Sequence, residues 1–425
     1  MFGKKKKINP IESYKPEFGS AEEFLDAYNG EKNITIGKVD DLKIKICGDK
    51  KPCNEITIIN DVQKSVDNQV VIPLLKEKTM SYIVYDPYNT YQNETIEMFE
   101  NSGYDVQIVD IGNNDCLSRV NIFEIANITK NSYWLSVILS SSIKCSEDEK
   151  PVAHALLMSI MQYLIHTNNT IDIVSLYKVF KSVRNEETEI WRALQSCPGS
   201  QSEIVKVWKA PAEIRNSVYE KILNNFFKTA ITKTNNPNIF AATAHKKNTV
   251  YYIKRIPKKY SYIVTILLFN IKMSNIVFNQ GKPSTVLIDT MDSGWYNELL
   301  VRKIENEIGT NTGIINLQIR DSIGTPERPY VRDNQLVVFM QSEDEISKKY
   351  IIHSLKTKEL ISREELSNTV DGMLTKKKQR KNKESIVDQL LDVSAVSMEE
   401  FENMTDSIVI DTSKAVKPFR CNRML

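Results

Sequence analysis

Apolar positions along the chain fall into two patterns. Short continuous runs suit buried strands at Asn33–Ile36, Leu42–Ile46, Ile56–Ile59, Tyr82–Tyr85, Asp105–Ile111, Thr249–Ile253, Tyr262–Phe269, Thr285–Asp289, Gly313–Ile319 and Leu336–Met340. Of these, Tyr262–Phe269 also has the length of a buried helical segment. Helical periodicity marks Ala21–Tyr28, Asn93–Asn101, Pro151–His166, Ile171–Arg184, Glu187–Ser196, Ser202–Thr229, Asn297–Glu307, Glu343–Leu355 and Arg363–Thr369. Gln69–Leu75 suits a helix start. Ser20 is placed to cap the first helix, with Glu22 and Glu23 in its first turn, where they favour the helix dipole.

The run Tyr82–Tyr85, the helix Asn93–Asn101 closed by Gly103, and the run Asp105–Ile111 form a βαβ unit. Such a unit calls for a parallel sheet with helices on both faces. From about Val120 to His245 helices dominate, interrupted by Cys197–Pro198–Gly199 and Asn235–Asn236–Pro237. The expected organisation is a polar lead at 1–31, a sheet-bearing domain split between 32–119 and 246–369, an all-helical insertion at 120–245, and a tail at 370–425. That tail opens on the basic run Lys376–Lys383, turns acidic over Ile386–Asn403, and reads as mobile.

Composition narrows the partners. The 425 residues carry a formal net charge of +2, so no overall basic field announces nucleic acid, and any such contact must come from local patches. Six cysteines are scattered without a CxxC pair, and there are four histidines, so neither a zinc site nor a disulfide framework is expected. His154 and His166 lie on one helical stretch but too far apart to share a metal. No window offers the ~18 apolar residues that span a bilayer, and no apolar signal core follows Lys4–Lys7. The expected location is cytoplasmic. The polybasic tip reads as a solvated tail, with peripheral attraction to anionic lipid at the inner face of the cell membrane left open.

Four stretches together carry a resemblance. The first is Val70-Val71-Ile72-Pro73-Leu74-Leu75 followed by Tyr82-Ile83-Val84-Tyr85-Asp86-Pro87, then Gly103-Tyr104-Asp105-Val106, Asp110 and Asn121-Ile122-Phe123. The second is Thr285-Val286-Leu287-Ile288-Asp289-Thr290, the third Ile314-Ile315-Asn316-Leu317-Gln318, and the fourth Asp333-Asn334-Gln335-Leu336-Val337-Val338-Phe339 before Glu343-Asp344-Glu345. In order and spacing, over roughly residues 55–365, the chain resembles the TraG/TraD-like coupling ATPases of conjugative type IV secretion. The resemblance implies an α/β fold with a RecA-like P-loop NTPase-type parallel sheet, an inserted all-helical domain and flexible termini.

The nucleotide chemistry of that family is eroded at three places. A phosphate loop needs glycines so that its amides can turn inward, a Lys for the phosphates and a Ser or Thr for magnesium. The matching segment, Asn60-Asp61-Val62-Gln63-Lys64-Ser65-Val66-Asp67, contains no glycine. In the register of Ile72-Pro73, Val66 takes the lysine position and Asp67 the Ser/Thr position, while Lys64–Ser65 imitates the pair only if the loop shifts by two residues. An aspartate there repels nucleotide: like charges ~4 Å apart at an effective dielectric near 20 cost roughly 4 kcal/mol. At the Walker B strand, Asp289 is kept for magnesium, but Thr290 stands where a glutamate would activate water. Asp292 lies two residues further on, in reach of a partial rescue. After Asp86–Pro87 the family's Lys-Gly-Glu is replaced by Tyr88-Asn89-Thr90. Asp86 can serve as a helix cap, and Gln318, placed as the family's phosphate sensor, can simply close a strand.

The expectation is a non-catalytic coupling-protein-like scaffold or substrate-docking subunit, with no cofactor, working with other type IV secretion or relaxosome proteins or with a catalytic paralogue, and open to oligomerisation. A divergent DNA-stimulated ATPase remains an alternative, using Lys64 or Lys76 for phosphate, Asp289 for Mg2+ and Gln318 for sensing ATP. A further alternative is a single-stranded-DNA-binding module, in which Lys246, Lys247, Lys254, Arg255, Lys258 and Lys259 track phosphate and Tyr251, Tyr252 and Tyr260 stack bases. In the plainer reading of that segment the lysines are solvated and the tyrosines buried.

Overall fold

A computed structural model of the chain describes residues 18–28, 34–39, 42–46, 55–60, 70–110, 123–167, 169–184, 188–227, 248–280, 282, 284–290, 295–308, 313–322, 324–325, 328–329, 335–355, 401, 404, 407–412 and 417–421. In chain order these hold α1 (Ala21–Tyr28), β1 (Ile34–Val39), β2 (Leu42–Ile46), β3 (Glu55–Asn60), α2 (Ile72–Glu77), β4 (Ser81–Tyr85), α3 (Thr90–Asn101) and β5 (Asp105–Val109). A helical stretch follows: α4 (Glu124–Thr129), α5 (Tyr133–Ser142), α6 (Glu149–His166), α7 (Ile173–Val183), α8 (Glu189–Ser196), α9 (Gln201–Lys209) and α10 (Ala212–Ile222). Then come β6 (Thr249–Ile253), α11 (Ser261–Asn279), β7 (Thr285–Asp289), α12 (Glu298–Ile308), β8 (Ile314–Arg320), β9 (Gly324–Thr325), β10 (Arg328–Pro329), β11 (Leu336–Gln341), α13 (Glu345–Ser354), β12 (Ser407–Asp411) and β13 (Phe419–Cys421).

Among the described residues nine strands form the main sheet, which is mostly parallel. The chain divides into two compact units: Met1–Thr79 with Val286–Met291 and Ile315–Leu425, and Met80–Thr285 with Asp292–Ile314.

In the first unit the strand order is β13-β12-β11-β3-β8-β7. β3 runs parallel to both β11 and β8, and the β3–β8 register sets Thr57 opposite Gln318 and Ile59 opposite Arg320. β12 and β13 add antiparallel strands at the β11 side. One core of this unit gathers Ile59, Val337 and Phe339 from the sheet, Ile351 and Leu355 from α13 and its end, and Phe401, Ile408 and Ile410. The first helix starts as its sequence demands, with the Glu23 amide donating to Ser20 Oγ at 3.1 Å.

In the second unit β6 lies between β4 and β5, parallel to both. All five residues of β4 and of β6 are buried, which is why they read as unbroken apolar runs. α3 ends at Gly103, whose φ of +78° is the left-handed turn that favours glycine. The helical stretch packs around α6, against which α5, α9 and α10 lie. Asp172 caps α7 and Thr188 caps α8 through side-chain oxygens.

Four sequence expectations are corrected. Tyr262–Phe269 is not a strand but the first half of α11, which runs to Asn279 and is buried on most sides. An all-round apolar run has no period to separate a buried helix from a buried strand, so only its length decides. Against the expectation that no window is apolar enough to span a bilayer, α11 is, among the described residues, the one helix long and apolar enough to cross a membrane, and 72% of that window is buried inside the fold. The stretch Ser202–Thr229 is not one helix, because Pro211 separates α9 from α10 and cannot supply the amide a continuous helix needs. The region from Val370 is not loose throughout: Ser407–Asp411 is a fully buried strand. Its run Ile408-Val409-Ile410 is β-branched, and it lies beyond the charged stretch that made the tail read as mobile. The expected helix Arg363–Thr369 and the basic run Lys376–Lys383 lie outside the described residues.

Candidate active site at the strand ends

Open parallel sheets offer ligands the crevice beyond the carboxyl ends of their strands. In the first unit those ends are Asn60 on β3, Asp289 on β7, Arg320 on β8 and Gln341 on β11. Asn60 is fully buried, and its Nδ2 reaches Met340 Sδ at 3.8 Å. The remaining candidate loop positions, Lys64, Ser65, Val66 and Asp67, lie outside the described residues, as does Asp292.

The decisive geometry is at Asp289. Arg320 Nη2 donates to Asp289 Oδ2 at 2.6 Å, and both side chains are buried. The guanidinium is seated further by Nη1, which donates to the Ile319 carbonyl at 2.9 Å and the Asp289 carbonyl at 3.4 Å. A buried carboxylate must be neutralised or hydrogen-bonded, and a guanidinium does both. As arranged, Asp289 does not fit a magnesium ion, because a dication would meet a guanidinium already on the same oxygen. Thr290 follows, buried, with a hydroxyl where a water-activating carboxylate would stand.

Gln318 lies deeper. It pairs in register with Thr57 rather than with the last residues of β3, and it is buried. Residues two apart on a strand share a face, so Arg320 projects from the side of β8 that carries Gln318, nearer the rim. Sequence reasoning fixed on the glutamine and missed the arginine. The available signal was a lone charge closing the apolar run Ile314–Arg320.

The second unit has its own strand-end cluster. Asp86 is buried and accepts from the Gln92 amide at 2.8 Å, at the start of α3. Lys254 Nζ sits 3.9 Å from Asp86 Oδ2 and donates to Gln92 Oε1. Burial pulls the Lys254 ammonium below its ordinary range, while Asp86 and Asp110 push it back up. Lys254, a candidate for tracking phosphate in the nucleic-acid alternative and solvated in the plainer reading, is instead drawn into an internal pair. Arg255 and Lys258 are exposed, the Lys259 side chain is outside the described set, and Lys246 and Lys247 lie outside the described residues. Tyr251, Tyr252 and Tyr260 are buried and present no face for base stacking. Tyr252 instead shares a 2.6 Å hydrogen bond with Thr95, and the Tyr251 hydroxyl is raised by burial first and by Asp105 next. The exposed aromatic at this rim is Tyr88. Among the described residues no group of His, Cys, Asp or Glu could hold a metal ion.

The mostly parallel sheet, the crossover helices and the helical insertion define the fold of the RecA-like P-loop NTPases. Within it the solved structures most like this chain include conjugation proteins. The plasmid coupling protein TrwB in complex with ADP and Mg2+ matches with a TM-score of 0.56 at 10% identity, over 97% of this chain and 93% of that one. The bacterial conjugative coupling protein TrwBdeltaN70, in its unbound monoclinic form, matches at 0.56 and 11% over 96% and 92%. TrwB with the non-hydrolysable GTP analogue GDPNP matches at 0.54 and 11% over 97% and 93%. At such identities the likeness is one of fold, and it bears out the fold expected from the four motif stretches. No protein-family profile matches the chain, and no curated protein matches it in sequence.

Proposed function

We propose that the chain is a coupling-protein-like component of a conjugative type IV secretion system that does not hydrolyse ATP and serves as a scaffold or substrate-docking subunit. The observation that carries it is the buried Asp289–Arg320 pair, 2.6 Å long, at the end of the Walker B-like strand. A carboxylate held by a guanidinium is not available to a metal, and Thr290 beside it has no basic oxygen to take a proton from water. The glycine-free segment after Asn60 supports the same conclusion. The fold supports the conjugative setting, since its neighbours are plasmid coupling proteins, one of them with ADP and Mg2+. On this proposal the chain takes no cofactor. Its partners are other type IV secretion or relaxosome proteins or a catalytic paralogue, and its place is the cytoplasm or the inner face of the cell membrane.

Calorimetry with Mg-ATP, followed by turnover with and without single-stranded DNA, tests the proposal. The expected result is neither binding nor turnover. Turnover that Asp289→Ala abolishes would overturn it and make the chain a divergent motor. Among the described residues, exposed Arg255, Lys258 and Tyr88 at the strand ends of the second unit support a second role in holding single-stranded DNA. Binding that weakens steeply with salt, and weakens again in Arg255→Ala, is its expected signature.

A further inference from the structure

Three polar side chains gather on one face of the first unit's sheet. β3 lies between β11 and β8, with Val337 and Gln318 opposite Thr57, and Asn316 opposite Glu55. Opposite residues of neighbouring strands point to the same face, as do residues two apart on one strand. Gln335, two before Val337, keeps to that pattern. Its carbonyl accepts from the Thr412 amide at 3.0 Å and its amide donates to Thr412 Oγ1 at 2.9 Å, one step beyond the Leu336–Asp411 pair. Gln335, Thr57 and Asn316 therefore share a face, towards the amino ends of the parallel strands and away from Asp289. Thr57 is 1% exposed and Gln335 2%. Among the described residues, Thr57 Oγ1, Asn316 Oδ1 and both polar atoms of the Gln335 side chain are enclosed without a hydrogen-bond partner from the protein. Glu55, between Gln335 and Asn316, is half-buried and not one of these atoms.

Buried polar atoms left dry cost free energy, and in folded proteins they are paired with protein or with ordered water. Thr57 is the diagonal neighbour of both Gln335 and Asn316, one strand across and two residues along, about 8 Å between backbones. A water making two hydrogen bonds spans about 5–6 Å between polar atoms, which suits that spacing. Val337, on the same face, packs with Ile351 and Leu355, so the face is covered there and an occupant must be small. We infer that this face holds a structural water site. Water there donates to Asn316 Oδ1 and Gln335 Oε1, accepts from Gln335 Nε2, and meets the Thr57 hydroxyl, which can do either. It joins β11, β3 and β8 through their side chains, beside Gln318. Such a site goes beyond the proposed function and stands whether or not the chain hydrolyses ATP.

Oxygen-17 relaxation dispersion of the solvent, measured on the full chain, counts long-lived bound waters. Wild type, Thr57→Val, Thr57→Ser and Gln335→Met are compared, with urea midpoints alongside. Thr57→Val keeps the shape of the side chain and removes the hydroxyl; Thr57→Ser keeps the hydroxyl and removes a methyl group. Thr57→Val and Gln335→Met are each expected to lose dispersion amplitude worth at least one water, and Thr57→Ser to retain it. Thr57→Val is also expected to unfold at lower urea than the wild type despite its more apolar side chain, because Asn316 and Gln335 lose their bridge. Equal amplitudes in wild type, Thr57→Val and Thr57→Ser would overturn the inference. A Thr57→Val chain more resistant to urea than the wild type would overturn it too, since relief on removing the hydroxyl is the mark of a group buried dry. The two Thr57 variants decide the matter even where Gln335→Met fails to fold.

Discussion

Arg320 and Asp289 lie 31 positions apart in the chain and share a buried 2.6 Å ion pair at the ends of two strands. Breaking such a pair from one side leaves a lone buried charge, a loss of about 3–5 kcal/mol, while removing both charges together costs much less. Arg320→Gln and Asp289→Asn are therefore expected to lower the unfolding free energy strongly. The double variant Asp289→Asn with Arg320→Gln is expected to recover a large part of that loss. Urea denaturation of the four proteins gives the coupling energy, and strictly additive losses would show that the pair is not cooperative.

The tail contributes a strand to the core of the first unit. Ile408 is fully buried, its strand pairs with β11, and Phe401 packs on Phe339 with ring centroids 4.7 Å apart. Ile408→Ala is expected to cost about 2–5 kcal/mol, as for a buried isoleucine truncated in a close-packed core. Limited proteolysis gives a second check: Ser407–Asp411 is expected to resist cleavage in the wild type and to become accessible in Ile408→Ala.

Lys254 and Arg255 are neighbours with different duties. Lys254→Ala removes the partner of buried Asp86 and Gln92, and is expected to cost about 1–3 kcal/mol. Arg255 is exposed, and Arg255→Ala is expected to stay within about 0.5 kcal/mol of the wild type. Thermal melts of the two variants side by side distinguish them, and equal effects would contradict the placement of Lys254.

Within the helical stretch, Glu149 is held well below the usual carboxylate range, at about 2, first by Lys221, then by Ser217 and by the Ser146 amide. Lys221 Nζ and Ser217 Oγ each lie 2.5 Å from the carboxylate. A carboxylate depressed in the folded state adds stability above its unfolded pKa, about 4.3 for glutamate. That contribution fades as pH falls from there to about 2. Glu149→Gln is expected to melt below the wild type at neutral pH, with the gap closing over that acid window. A gap that stays constant down to pH ~2 would show that Glu149 titrates normally.

The four motif stretches made the fold legible because each is local: an apolar run of strand length, a helix closed by Gly103, a strand ending in Asp289. The glycine-free segment after Asn60 and the threonine after Asp289 could be read too, since neither needs coordinates to be recognised. Asp86 was also placed correctly at a strand end, although its internal partner Lys254 was read as solvated or as a candidate for nucleic-acid phosphate.

What the sequence by itself determined was the order of most strands and helices and the helical stretch between β5 and β6, because periodicity and residue chemistry act over a few neighbouring positions. Tertiary structure alone decided that Tyr262–Phe269 is helical, that Ser407–Asp411 is buried in the sheet, and that Arg320 rather than Gln318 meets Asp289. Those outcomes depend on what lies across from a residue in space. Strand register and burial set this between positions that no local pattern connects.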